Sequence, residues 1–149
     1  MFKNRKILVP VDFSSCSKTA LEHALALAAL TGAQIDLLYV WEPPPFEGRE
    51  PRVHVNGEAS TLQDYALTQS RTEMDKFIAG VPEEQRKRLQ AHYEVGRPRE
   101  RILDHATRGY DLVVMGTHGR TGRARALAGS VAESIVRGCV SPVLTVREH

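Results

Sequence analysis

Residues 6–40 read KILVPVDFSSCSKTALEHALALAALTGAQIDLLYV. Lys6 to Val11 form a short, almost continuous apolar run, as expected of a strand covered on both faces. Asp12-Phe13-Ser14 then turns the chain. From about Ser17 to Leu30, alanine and leucine dominate, with polar Lys18, Glu22 and His23 near the start. Thr31-Gly32 ends this segment, which reads as a helix packed on a sheet. Ile35 to Val40 is apolar again, a second buried strand. Strand, helix and strand in this order imply parallel pairing.

The alternation continues to the end. After Val40 come Trp41-Glu42-Pro43-Pro44-Pro45-Phe46 and a polar stretch to about Ala59. Four prolines and two glycines between Pro43 and Ala59 are expected to exclude regular structure there. Residues 43–59 thus read as a flexible insertion, either a flap or a partner contact. Ser60, with Gln63 three residues on, has capping-box spacing and is expected to open a helix to about Ala79, stopped by Gly80 and Pro82. Leu89, Ala91, Tyr93 and Val95 alternate with Gln90, His92 and Glu94, which predicts an edge strand with one wetter face. Gly96-Arg97-Pro98 leads into a helix carrying Ile102, Leu103 and Ala106, closed by Gly109. Asp111 to Met115 is a third buried strand. Gly129-Ser130 opens a last helix, with Val131, Ile135 and Val136 expected inward and Gly138 at its end. Val143 to Val146 is the final strand. The order βαβαβαβαβ predicts one domain over residues 1–149: a three-layer α/β/α open sheet of five parallel strands.

Bulk properties narrow the function. The chain has 149 residues, 42% hydrophobic and 26% charged, a globular balance for one domain. No apolar run approaches the roughly 20 residues of a membrane span. The basic start Lys3-Asn4-Arg5-Lys6 lacks a following cleavage site, so a cytoplasmic protein is expected. A net charge of +2 with scattered arginines gives no nucleic-acid footprint. Cys16 and Cys139 have no metal-ligand spacing and read as reduced, semi-buried small residues.

In an open parallel sheet, ligands sit beyond the carboxyl ends of the strands, where strand order reverses. With the five strands ordered 3-2-1-4-5, that rule selects Pro10-Val11-Asp12, Val40-Trp41 and Met115-Gly116. The last of these begins Gly116-Thr117-His118-Gly119-Arg120 and runs to Gly129-Ser130. Glycines allow close approach to a phosphate, and a helix start offers free N–H groups and a positive dipole end. The alternative is a plain turn followed by an N-cap serine. His118 is either a ligand contact or an exposed loop residue. Arg120, Arg123 and Arg125 are either a phosphate-facing lid or a solvated loop. Asp12 is either near the ligand or a turn residue. The other five histidines have no partner that the sequence reveals. Walker A, G-x-G-x-x-G, G-x-S-x-G and H-E-x-x-H patterns are all absent.

The spacing Gly116-x2-Gly119-x9-Gly129-Ser130 resembles the G-x2-G-x9-G-[ST] pattern of the universal stress protein family, in its ATP-binding branch. Four blocks resemble the family in the same order: Ile7 to Ser14, Asp111 to Arg120, Gly129 to Val136 and Ser141 to Leu144. The resemblance covers nearly the whole chain and is weakest at residues 43–59. It implies a Rossmann-like, adenine-nucleotide α-hydrolase-like fold. It also implies adenine beside Pro10, Val11 and the backbone of Val40, and ribose beside Met115 and Gly116. Gly119, Gly129, Ser130 and Val131 would hold phosphates, with His118 and Arg120 nearby. Asp12 would lie close to the nucleotide, within reach of a phosphate-bound Mg2+.

The expected function is therefore a regulatory protein of the stress response that binds ATP, ADP or AMP. Slow ATP hydrolysis and partner binding through loop 43–59 are the alternatives. No base with an orienting partner is evident, so dedicated catalysis is not expected. The resemblance implies a homodimer, and the C-terminal edge strand Val143 to Val146 offers the pairing edge.

Overall fold

The computed structural model describes residues 2–118 and 129–148. In chain order the elements are β1 (Lys6–Val11), α1 (Ser15–Thr31), β2 (Gln34–Trp41), β3 (Arg52–Val55), β4 (Glu58–Thr61), α2 (Leu62–Ile78) and α3 (Glu83–Arg86). They continue with β5 (Leu89–Val95), α4 (Pro98–His105), β6 (Leu112–Gly116), α5 (Ser130–Gly138) and β7 (Val143–Val146). Five strands form one parallel sheet, ordered β5-β2-β1-β6-β7. Allowing for the extra hairpin, this is the expected 3-2-1-4-5 layout.

The continuous apolar strands are explained by cover on both faces. Ile7, Val9, Val11, Ile35 and Leu37 pack with Ala20, Leu21, Ala24 and Leu25 of α1 and with Met74 of α2. Leu8, Leu38, Val40, Val113 and Met115 pack on the opposite face with Ile102 of α4 and with Ala132 and Ile135 of α5. Ala20, Ala24 and Ala28 of α1 are fully buried, so this helix lies close on the sheet. Ser14 caps its start by accepting from Ser17 N, and Gly32 ends it in the left-handed region at φ 75°.

Asp111 fastens the start of the sheet. Its carboxylate accepts from Asn4 N at 3.1 Å and Lys6 N at 3.0 Å. Burial opposes its ionisation, but the N–H groups of Lys6, Asn4 and Arg5 prevail and hold its pKa below the ordinary value.

The structure corrects three expectations. Residues 43–59 are not devoid of regular structure: β3 and β4 pair antiparallel. Asn56 and Gly57, at φ 52° and 82°, make the tight turn between them, as this dipeptide does in hairpins. The α2 N-cap is Thr61 rather than Ser60, because β4 extends through Ser60 and Thr61 Oγ1 accepts from Asp64 N at 3.1 Å. Val136 is 53% exposed, whereas Ala132 and Ile135 turn inward. Among the described residues no helix is long and apolar enough to cross a membrane.

Candidate functional site

A proline opens the cleft. β1 is the central strand and pairs with β2 along its whole length, from Lys6 to Val11. Its ladder with β6 covers only Ile7 and Leu8, although β6 runs on to Gly116. Pro10 has no N–H to offer the ladder beyond that point. The two strands part there, at the place where the chain reverses its direction across the sheet.

A cavity occupies the gap. Pro10, Val11 and Asp12 line one side of it. Met115, Gly116 and His118 line another, with Gly129 and Val131 at the start of α5. Ser17, Pro98, Thr117 and Ala132 also line it and were not singled out by the sequence. Val40 is buried in the core beside this region and Ser130 is exposed as the first residue of α5; neither lines the cavity. Gly119 and Arg120, like Arg123 and Arg125, lie outside the described residues.

Asp12 is a turn residue and also lines the cavity. Its Oδ1 accepts from Ser17 Oγ at 2.7 Å and from Ser14 N at 3.1 Å, while its own N–H donates to Ser17 Oγ at 3.0 Å. The carboxylate thus closes the turn into α1 and still faces the cavity. Phe13, the next residue, takes the left-handed conformation at φ 65° and stacks on Tyr39 with ring centroids 4.7 Å apart.

The two glycines of the motif that the structure describes are required by packing. A Cβ on Gly116 would lie 2.5 Å from Cys16 Sγ and 3.1 Å from the Cys16 carbonyl carbon. Only glycine lets β6 meet the first turn of α1. A Cβ on Gly129 would lie 2.9 Å from the carbonyl oxygen of Thr117, to which Gly129 N donates a hydrogen bond. This contact closes the two ends of the motif loop onto one another.

Among the described residues, two polar features belong to the cavity wall. The first is the start of α5, which no side chain caps. Its first intrahelical bond is Glu133 N to Gly129 O at 3.0 Å, so the N–H groups of Ser130, Val131 and Ala132 precede the ladder. Gly129, Val131 and Ala132 bring this uncapped, positive dipole end to the cavity wall. The second is Thr117 Oγ1, buried without a hydrogen-bond partner among the described residues. Buried polar atoms rarely stay unpaired, and one in a cavity wall suits a polar ligand.

With this geometry in place, comparison with known proteins is informative. The sequence model of the Universal stress protein family matches residues 3–147. Universal stress protein MJ0531 of Methanocaldococcus jannaschii is 32% identical over 145 residues, covering 97% of this chain and 82% of the relative. The solved structure of MJ0577, a universal stress protein from the same organism, superposes with a TM-score of 0.74 at 25% identity, over 97% of this chain and 96% of that one. A universal stress protein solved in complex with cAMP shares the fold, with a TM-score of 0.60 at 24% identity, over 95% of this chain and 94% of that one.

Proposed function

Since the chain belongs to the universal stress protein family, we propose that it binds an adenine nucleotide, ATP in the first instance, in the cleft between β1 and β6 and acts as a nucleotide-dependent regulator of the stress response. The observation that carries this reading is the uncapped start of α5 at the cavity wall. The N–H groups of its first turn and the helix dipole there attract an anion of the phosphate kind. The apolar wall of Pro10, Val11 and Met115 suits a flat base and its sugar. Thr117 Oγ1 gains a partner when a polar ligand enters. One universal stress protein of this fold carries an adenine nucleotide, cAMP, which agrees with the ligand class.

Binding is favoured over fast catalysis. Asp12 is the only carboxylate among the described residues lining the cavity, and its Oδ1 is committed to Ser17 and Ser14. In this reading Asp12 meets a phosphate-bound Mg2+ and does not activate water. Regulation then requires only that nucleotide binds one state of the protein better than another. A homodimer through the β7 edge belongs to the same reading: β7 pairs with β6 alone among the described strands and exposes Leu144.

Calorimetric titration of ATP into wild type and Ser130→Glu tests the site. A carboxylate at the first position of α5 favours the helix by about 0.3–1 kcal/mol yet repels phosphate. The expected result is ATP affinity reduced by at least about tenfold, with no loss of melting temperature. Unchanged affinity in the folded variant would place the phosphates elsewhere.

A further inference from the structure

Two residues of the polar face of β5, His92 and Glu94, are partly covered. The β5–β2 register sets His92 opposite Leu38 and Glu94 opposite Val40, on the same sheet face as Asp36. His105 from the end of α4 and Tyr110 close over these residues. His105 Nδ1 meets Glu94 Oε2 at 2.5 Å, and its Nε2 lies 3.0 Å from the Tyr110 hydroxyl. That hydroxyl donates to Asp36 Oδ2 at 2.6 Å. His92 Nε2 lies 3.5 Å from the same oxygen, and is buried without a hydrogen bond among the described residues.

We infer that Asp36, His92 and His105 form a binding site for a divalent transition-metal ion, zinc by the character of its donors. One carboxylate oxygen and two imidazole nitrogens all lie within 4.8 Å of one another. Two donors on a tetrahedral ion at about 2.1 Å stand about 3.4 Å apart. Asp36 Oδ2 and His92 Nε2 already have that spacing, at 3.5 Å. His105 needs only a short approach.

Its tautomer is preset. Glu94 as a carboxylate can only accept, so His105 Nδ1 carries the proton and Nε2 presents its lone pair to the site. A carboxylate behind a ligating histidine is the usual support for such a ligand. The hydrogen bonds link Glu94, His105, Tyr110 and Asp36 but leave buried His92 Nε2 without a partner among the described residues. A cation between the three donors satisfies them together. Asp36 and His105 side chains are 10% and 4% exposed, while His92 is 29% exposed and gives the ion its way in from the sheet edge. None of Asp36, His92 and His105 lines the nucleotide cleft, so this site is separate from it.

The test uses the full chain, freed of metal by a chelator and kept without nucleotide. Co2+ is titrated with the visible spectrum recorded, and Zn2+ is then measured by competition with a chromophoric chelator. The expected result is one Co2+ per chain with ligand-field absorption, displaced by Zn2+. His92→Ala should bind Zn2+ at least about tenfold more weakly, and Glu94→Gln about 10–100-fold more weakly. His23→Ala, altering an exposed histidine of α1, should bind as wild type does. Wild type that takes up neither ion overturns the proposal whatever the variants do. So does a folded His92→Ala chain, checked by circular dichroism, that keeps wild-type affinity.

Discussion

Gly116 shows how one residue can answer to two demands. Its place in a phosphate-motif spacing suggests a role toward a ligand, but its nearest neighbour is Cys16 of α1. Replacing it with alanine puts a methyl group 2.5 Å from Cys16 Sγ. Overpacking of this kind costs about 1–3 kcal/mol. Urea unfolding of Gly116→Ala should show a loss of that size, partly recovered in Gly116→Ala/Cys16→Ala; wild-type stability of the single variant would contradict the packing account. The same contact was invisible in the sequence, because residues 16 and 116 are distant along the chain. Asp12, Met115 and Gly129 could be selected in advance because they flank strand ends and a helix start, which local patterns reveal. Ser17, Pro98 and Thr117 could not, since only the tertiary fold turns them toward the cavity. His92 and His105 were passed over for the same reason: the Tyr110 to Asp36 bond that completes their network joins residues 74 apart in sequence.

Whole elements were easier to read than their ends. Unbroken apolar runs marked β1, β2 and β6 because a parallel sheet covered on both faces needs them. The alternation in β5 identified its edge position, but not that His105 at the end of α4 meets Glu94 on its polar face. The β3–β4 hairpin escaped notice because the prolines before it dominate the stretch, although Asn56-Gly57 is itself a hairpin signal. β7 carries the element-level prediction. Its outer edge has no partner among the described strands, and Leu144 beside it is 37% exposed. Unpaired edges invite pairing with another chain. Light scattering should give twice the chain mass of 16.6 kDa, and Leu144→Lys should bring it to the single mass. A wild-type chain that scatters as a monomer at every concentration would remove the dimer from the account.

At the scale of the molecule, one sheet carries both a cleft and a buried polar cluster. The carboxyl ends of β1 and β6 separate at Pro10 and leave a cleft that ends on the start of α5. Nearer the opposite end, between β2, β5 and α4, lies the histidine–carboxylate group. Family membership and the parallel α/β/α architecture agree with the order of elements read from the sequence. The ligand is the step that rests on the cleft itself. Native mass spectrometry of the nucleotide-stripped chain with added ATP tests it most directly. The account predicts a mass increase of one adenine nucleotide per chain; a folded protein that shows no ATP complex would contradict it.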